Sequence, residues 1–351
     1  MSGSRADRAD FVPRLEGRMW ELALPLRAPF VNATGRVTDR HVVLVSISDG
    51  VLAGWGEAAP YPGVTPDTIA DAWASLERGA VLSPTAAAAV DEAGADLEAR
   101  RDGQPLWAAI GGSQRTLATS IAVGLAEDPV ERIAATGARG VKLKICPGHD
   151  VDRVTAVRDV YPDLSIGVDA NGSYQWDERE SLLELDGLGV DYVEQPFAAH
   201  DLIAHARLRE EIVAAVGLDE SIDSTAAAIR AIEADACDLI VAKPGRLGLS
   251  AARTVHDLAL AAGLRIKASG LLETDIGRAH TLAIASLPAA AWSDIGAASW
   301  FFEGTVSVDE PSVVNGRVAM AEGPGIGRAP DPEVFAPYVV RESTLGSRIW
   351  D

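Results

Sequence analysis

Five short apolar runs decide how this chain is read: GVKLKI (Gly140–Ile145), SIGVD (Ser165–Asp169), VDYVE (Val190–Glu194), AVGLD (Ala215–Asp219) and LIVAK (Leu239–Lys243). Each is rich in branched residues, and each carries a charge at or beside its end: Lys144, Asp169, Glu194, Asp219 and Lys243. Amphipathic helical stretches lie between them, and the alternation predicts parallel strands joined by crossovers. Working outward, Ala118 to Val123 precedes the set, and Leu264 to Ser269 and Ala291 to Ile295 follow it. The last two place Ser269 and Asp294 on the same spacing of about 25 residues, one strand and one helix per step. Eight such strands predict a closed barrel. The alternative is an open doubly wound sheet, but no glycine-rich phosphate loop follows the first strand. In a barrel every one of these side chains stands at the C-terminal mouth, where barrel enzymes keep their chemistry.

The first hundred residues follow another pattern. Met19 to Pro25, His41 to Ile47 and Val51 to Glu57 read as a three-stranded antiparallel meander, with Asp49-Gly50 as the second turn. Thr65-Pro66-Asp67 opens a helix, with Thr65 as N-cap, and a second helix fills Pro84 to Arg101. The expected organisation is an α+β cap over residues 1–115, with about 310–351 packing back on it, and a barrel over 116–309.

Composition narrows the function. Acidic residues outnumber basic ones 51 to 31, a formal charge of −20, which disfavours phosphate backbones and anionic membranes. No nucleic-acid or membrane partner is therefore expected. Two cysteines, Cys146 and Cys237, exclude a disulfide framework and suit a reducing compartment. The N-terminal segment has mixed charges and no apolar core of signal-peptide length, so a cytoplasmic location is expected.

Asp169, Glu194 and Asp219 bring three carboxylates from adjacent strands to one point. Such a group stays ionised only with a cation among it, and an all-oxygen set suits Mg²⁺ first and Mn²⁺ second. The plainer reading of each, a helix cap after a strand, fits three at equal spacing poorly. Lys144 and Lys243 flank the carboxylates on both sides, which invites two-sided proton transfer. Lys142 shares a strand face with Lys144 and is expected to depress its basicity as a like charge. Taken alone, KLK reads more simply as lysines snorkelling from a strand end. No histidine falls at a predicted strand end, so a histidine base is not favoured.

Further motifs occur in order: GWGE (Gly54–Glu57), VDANGSY (Val168–Tyr174), VEQP (Val193–Pro196), LDES (Leu218–Ser221), KPGRLG (Lys243–Gly248), SGLLETDIGRAHTLAIASLP (Ser269–Pro288) and SDIGAASWFFE (Ser293–Glu303). With VKLKI at 141–145, they resemble the enolase superfamily, its muconate-lactonizing subgroup, and within it the o-succinylbenzoate synthase/N-succinylamino acid racemase branch. The resemblance covers nearly the whole chain. It implies a modified TIM barrel, (β/α)₇β, with an α+β capping domain. It also implies Mg²⁺ on Asp169, Glu194 and Asp219, and Lys144 and Lys243 on opposite sides of a substrate α-carbon. Removing a proton α to a carboxylate leaves a dianion that needs a fixed cation. Asn171 is placed behind the metal site or, equally, as a cap of the next helix. Arg246 accompanies racemase capability in this branch; its bland reading is a rim ion pair.

Substrate contacts are expected from Phe30, in the loop Ala28 to Gly35, and Tyr61, in the stretch Ala58 to Thr65. Ordinary interdomain packing is the alternative for both aromatics. The barrel is expected to add Ser269, Gly270, Leu271 and Asp294. The implied activity is a Mg²⁺-dependent syn-dehydration of menaquinone biosynthesis acting on a small carboxylate. N-succinylamino acid racemisation is the near alternative, and cycloisomerisation and dipeptide epimerisation are more distant ones. Asp294 is followed by Ile295-Gly296 rather than the Asp-x-Asp of dipeptide epimerases. A catalytically silent binding barrel has no need of a lysine on each side of a metal. The resemblance permits dimers to octamers.

Overall fold

The computed structural model describes residues 15–290, 293–308 and 310–350. The chain begins with a long antiparallel hairpin, β1 (Glu16–Asn32) and β2 (Gly35–Ser48), followed by β3 (Ala53–Ala58). β1 and β2 run longer than the apolar runs suggest, whereas β3 starts at Ala53 and not at Val51. The segment Ala28 to Gly35, expected as a loop, is the tip of this hairpin: Phe30 pairs with Val37 and Asn32 with Gly35. Asn32 makes the tight turn possible, its Oδ1 accepting from the backbone of Thr34 and Gly35 at 3.0 and 3.1 Å. Asp49 does the same for the next turn, accepting from Val51 and Leu52.

The first helix spans Ile69–Arg78, not a stretch opened by Thr65-Pro66. Its cap is Thr68, in a capping box with Asp71. Thr65 is occupied elsewhere, its hydroxyl accepting from the Tyr61 N–H at 2.9 Å, and Asp67 turns to Thr85. The second helix, Pro84–Arg101, lies across β3. Gly54 and Gly56 permit that approach: a Cβ on either would come within 2.1 Å of a helix carbonyl, Ala93 or Ala89.

The chain then enters the barrel through β4 (Thr116–Ala118) and β5 (Ser120–Val123), so the run at 118–123 is broken at Thr119. There follow β6 (Gly140–Lys144), β7 (Ser165–Asp169), β8 (Tyr192–Glu194), β9 (Ala215–Leu218), β10 (Leu239–Ala242) and β11 (Arg265–Ala268). From β5 to β11 each strand pairs in parallel with the next. The expected eighth strand is reduced to parallel bridges, Ala290 with Ile266 and Ser293 with Thr119; Ala291 and Trp292 lie outside the described residues. Those two bridges join the β11 edge to the start of β5. On the strand face opposite the charged residues, Ile121, Leu143, Val168, Val193 and Leu218 join helix residues such as Val154, Val157, Leu182 and Leu185 in one continuous apolar core.

Two C-terminal pieces return to the start. β12 (Val313–Val314) and β13 (Arg317–Ala319) extend β4, and β14 (Val339–Thr344) pairs antiparallel with β1, Met19 opposite Ser343. No helix among the described residues is long and apolar enough to cross a membrane. This is an α/β barrel under a smaller α+β cap.

Candidate active site

Strand register levels the charged residues. Lys144 pairs with Asp169, and Asp169 with Glu194, at the last positions of β6, β7 and β8. Asp219 and Lys243 stand one residue beyond β9 and β10. All three carboxylates are fully buried, and an oxygen from each lies within 4.8 Å of the others.

Cations crowd around them. Lys144 Nζ lies 2.6 Å from Asp169 Oδ2 and Lys243 Nζ 2.6 Å from Asp219 Oδ2. Arg246, buried rather than on the rim, donates to the Asp219 carbonyl at 2.6 Å and its Oδ1 at 2.9 Å. Burial pushes every carboxylate up, and the neighbours decide the outcome. Lys144 and Lys142 outweigh burial at Asp169 and hold it well below the usual range. Lys243 with Arg246 holds Asp219 near 2. At Glu194 burial, aided by Asp169 and Asp219, wins against Lys142 and Lys267, and its carboxyl is raised.

Lys142 points to the inside of the ring. Its ammonium sits 3.0 Å from Asp169, 2.9 Å from Glu194 and 2.8 Å from Asp294. Burial would lower it, but those carboxylates hold it well above the ordinary lysine value. Lys267 on β11 completes the network. It is fully buried and bonds Glu194 at 2.8 Å, Asp294 at 2.6 Å and the Tyr192 hydroxyl at 2.8 Å. Sequence reading passed over Lys267. The signal was present: a lysine inside an apolar strand run, two residues before Ser269 and so on the same strand face as that strand-end residue.

Asn171, with φ of +46°, is not a helix cap. Its Oδ1 accepts from Lys144 Nζ at 2.9 Å, its Nδ2 donates to Glu220 at 2.8 Å, and its N–H donates to Asp169 Oδ1. Glu220, the next residue after Asp219, is a further carboxylate the sequence reading passed over. Burial and its acidic neighbours Asp219 and Asp169 push it up to about 7. Gln195 fixes Asp219 from behind, its Oε1 accepting from the N–H groups of Asp219 and Ser221.

Above this floor is a cleft between the barrel mouth and the cap. Lys142, Lys144, Lys243, Asn171 and Asp294 reach it from below, and Phe30, Tyr61, Gly270 and Leu271 form its walls. Asn32, Val64, Leu272, Glu273, Arg278 and Phe301 join them without having been anticipated. Phe301 meets Phe30 edge-on at 6.2 Å. Ser269 does not line the cleft. Its hydroxyl is spent on Asp294 Oδ2 at 3.0 Å, and Asp294 is itself paired with Lys142 and Lys267. Cys146 and Cys237 are free thiols, and burial raises both, Cys237 to about 12.

The carboxylates fit a divalent metal. They are dry, oxygen-only and close enough to share one ion, and no histidine or cysteine joins the described group, which points to a hard cation.

Residues 125–334 match the model of the enolase C-terminal domain-like family. Residues 63–111 match that of the mandelate racemase / muconate lactonizing enzyme N-terminal domain. The chain is similar to an o-succinylbenzoate synthase of Geobacillus kaustophilus, 34% identical over 340 residues that cover 87% of this chain and 90% of the relative. It is equally similar to an N-succinylamino acid racemase of Thermus thermophilus, 34% over 338 residues, 87% and 92% covered. A solved enolase-superfamily member from Listeria innocua superposes with a TM-score of 0.85 at 26% identity, over 94% of this chain and 98% of that one. The chain belongs to the enolase superfamily, in the group of the mandelate racemases and muconate lactonizing enzymes.

Proposed function

We propose that the protein is a Mg²⁺-dependent o-succinylbenzoate synthase that dehydrates a cyclohexadiene carboxylate bearing a succinyl side chain and a β-hydroxyl. The observation that carries the reading is that Lys144 and Lys243 both reach one cleft above a buried carboxylate triad. The kinship with o-succinylbenzoate synthases supports the choice of reaction.

Asp169, Glu194 and Asp219 would hold the metal, which supplies charge stabilisation for the dianion left by α-proton loss. Lys144, oriented by Asn171, takes the α-proton from one face. The same ammonium then gives a proton to the departing β-hydroxyl, so water leaves from that face. Lys243, across the cleft, stabilises the anion without exchanging a proton. Lys142 serves by its charge: it keeps Glu194, Asp169 and Asp294 in place. The aromatic and aliphatic walls exclude water from the reacting carbon.

Racemisation of N-succinylamino acids is the second reading. It needs Lys243 to take a proton as well as give one. The placement of Arg246 on Asp219, the carboxylate Lys243 also touches, favours it as a side activity. The proposed organisation is a cap of residues 1–115 with about 310–351, over a barrel of 116–309, in a cytoplasmic enzyme that forms homo-oligomers.

The test is a substrate panel: the hydroxycyclohexadiene carboxylate, an N-succinylamino acid, a dipeptide and muconate. The first should give the largest kcat/KM, and EDTA should abolish it until Mg²⁺ is restored. A larger kcat/KM for any of the other three would replace this reading.

A further inference from the structure

Arg40 lies on β2, in the cap, and is 3% exposed. A buried guanidinium ordinarily sits on a carboxylate; this one spends its donors on the backbone. Its Nε donates to the Leu272 carbonyl at 3.1 Å. One terminal nitrogen donates to Pro60 at 2.6 Å and His41 at 3.2 Å. The other donates to Ala59 at 2.6 Å and Leu271 at 2.9 Å. Its plane lies over the Tyr61 ring at 5.2 Å. His41 is its own chain neighbour, and the other four acceptors belong to two segments. Ala59 and Pro60 lead into the wall residue Tyr61, and Leu271 and Leu272 line the same cleft.

A second cap residue grips the same barrel segment. Glu57 on β3 accepts from the N–H groups of Thr274 at 2.9 Å and Gly277 at 3.0 Å, and from the Thr274 hydroxyl. Thus a cation from the cap holds the carbonyls of residues 271–272, and a carboxyl group from the cap holds the amides that open the helix Asp275–Ala285. Between the two grips Leu272 is held at φ +58°, a left-handed conformation that is strained for a leucine. Such a conformation persists only where the surroundings impose it.

We propose that Arg40 is a positioning residue that sets the separation of the Tyr61 and Leu271–Leu272 walls and thereby the acyl side chain the cleft accepts. Five carbonyl acceptors around one side chain match the five N–H donors of a guanidinium fork. Lysine brings charge but only three donors, so the guanidinium geometry, rather than the charge, is what positions the walls. The kinetic part of this inference rests on the proposed reaction; the structural part does not.

The experiment uses the Mg²⁺-loaded full chain with Arg40→Lys, Arg40→Met and Leu272→Gly. The last releases the strained residue without stranding any carbonyl. Hydrogen exchange in peptides covering 59–65 and 269–278 should quicken about tenfold or more in both Arg40 variants, while β6 and β7 stay protected. KM for the succinyl substrate should rise about tenfold or more with kcat within about threefold. The preference for succinyl over acetyl side chains on the same amino acid should shrink. Leu272→Gly should move exchange and selectivity the same way, by less. Wild-type exchange and selectivity in Arg40→Lys would overturn the proposal, because charge alone would then suffice. Equal loss of protection in β6 and β7 would overturn it too, reducing Arg40 to general support of the fold. Absence of any dehydration by the wild type would count against the reaction, and the exchange arm would still decide the clamp.

Discussion

The side-chain oxygen of Asn171 accepts a hydrogen bond from the ammonium of Lys144 at 2.9 Å, while its amide nitrogen is tied to Glu220 at 2.8 Å. The proposed base is thus oriented by a residue that is itself held. Asn171→Leu should lower kcat about 10- to 100-fold by releasing Lys144. Mg²⁺ affinity, read by calorimetry, should change far less. A loss confined to metal affinity would assign Asn171 to the metal site alone.

The lysines are separable by face. In D₂O, Lys243→Ala should leave α-proton exchange with one enantiomer of an N-succinylamino acid and abolish it with the other. Lys144→Ala should do the reverse, each lost exchange falling by about 10²–10⁴-fold. If one variant lost exchange with both enantiomers and the other with neither, the two-sided arrangement would be wrong.

Arg246 and Lys243 converge on Asp219. Arg246→Met leaves Lys243 as the sole close cation on that carboxylate, which suits a group that stays protonated. Racemisation should therefore fall more than dehydration. Equal losses, measured side by side, would make Arg246 a structural partner of Asp219 only.

Lys267 should matter most when no metal is bound. It neutralises Glu194 and Asp294 in a fully buried setting. Lys267→Met should destabilise the metal-free protein by about 3–5 kcal/mol, the usual effect of stranding buried charges. Added Mg²⁺ should recover part of that loss. Urea unfolding with and without Mg²⁺ measures both, and an unchanged midpoint in EDTA would contradict the role.

His280 gives a pH dependence of known sign. Burial pushes it down to about 4, and its Nε2 lies 2.8 Å from the Trp55 carbonyl. Between about 4 and 6.5 the unfolded chain binds more protons at this residue than the folded one, so stability falls as pH drops through that window. The contribution is complete above 6.5, and its loss is on the order of 3 kcal/mol from the size of the shift. Glu57 opposes it: burial raises it to about 7, so its contribution weakens as pH climbs from 4.5 to 7. The two separate by comparing wild type with His280→Gln. The stability advantage of wild type should shrink from pH 7 to pH 4.5; a constant difference would contradict the assignment.

What the sequence made legible was whatever the barrel repeats. Asp169, Glu194, Asp219, Lys144 and Lys243 recur at one strand–helix interval, so their common level follows from spacing. What it hid depends on contacts far apart in the chain. Lys267 reads as a lone lysine in a strand until the sheet order places β8, with Glu194 at its end, three strands away. Arg40 reads as a hairpin charge until residues 271–272, over 200 positions later, arrive beside it. β14 pairs with β1 across more than 300 residues, and nothing local in VVREST announces a partner. The first helix start failed for a smaller reason: Thr65 and Thr68 are both good caps, and only the turn that ties Thr65 to Tyr61 shows which one is free to serve.

The most direct test is the dehydration rate of wild type beside Lys144→Ala at saturating Mg²⁺, followed spectroscopically on the hydroxycyclohexadiene carboxylate. Wild type should reach a kcat/KM of about 10⁴ M⁻¹s⁻¹ or more. The variant should lose about 10²-fold or more while keeping its metal affinity. A variant within about threefold of wild type, or a wild type that binds Mg²⁺ yet forms no aromatic product, would contradict the account.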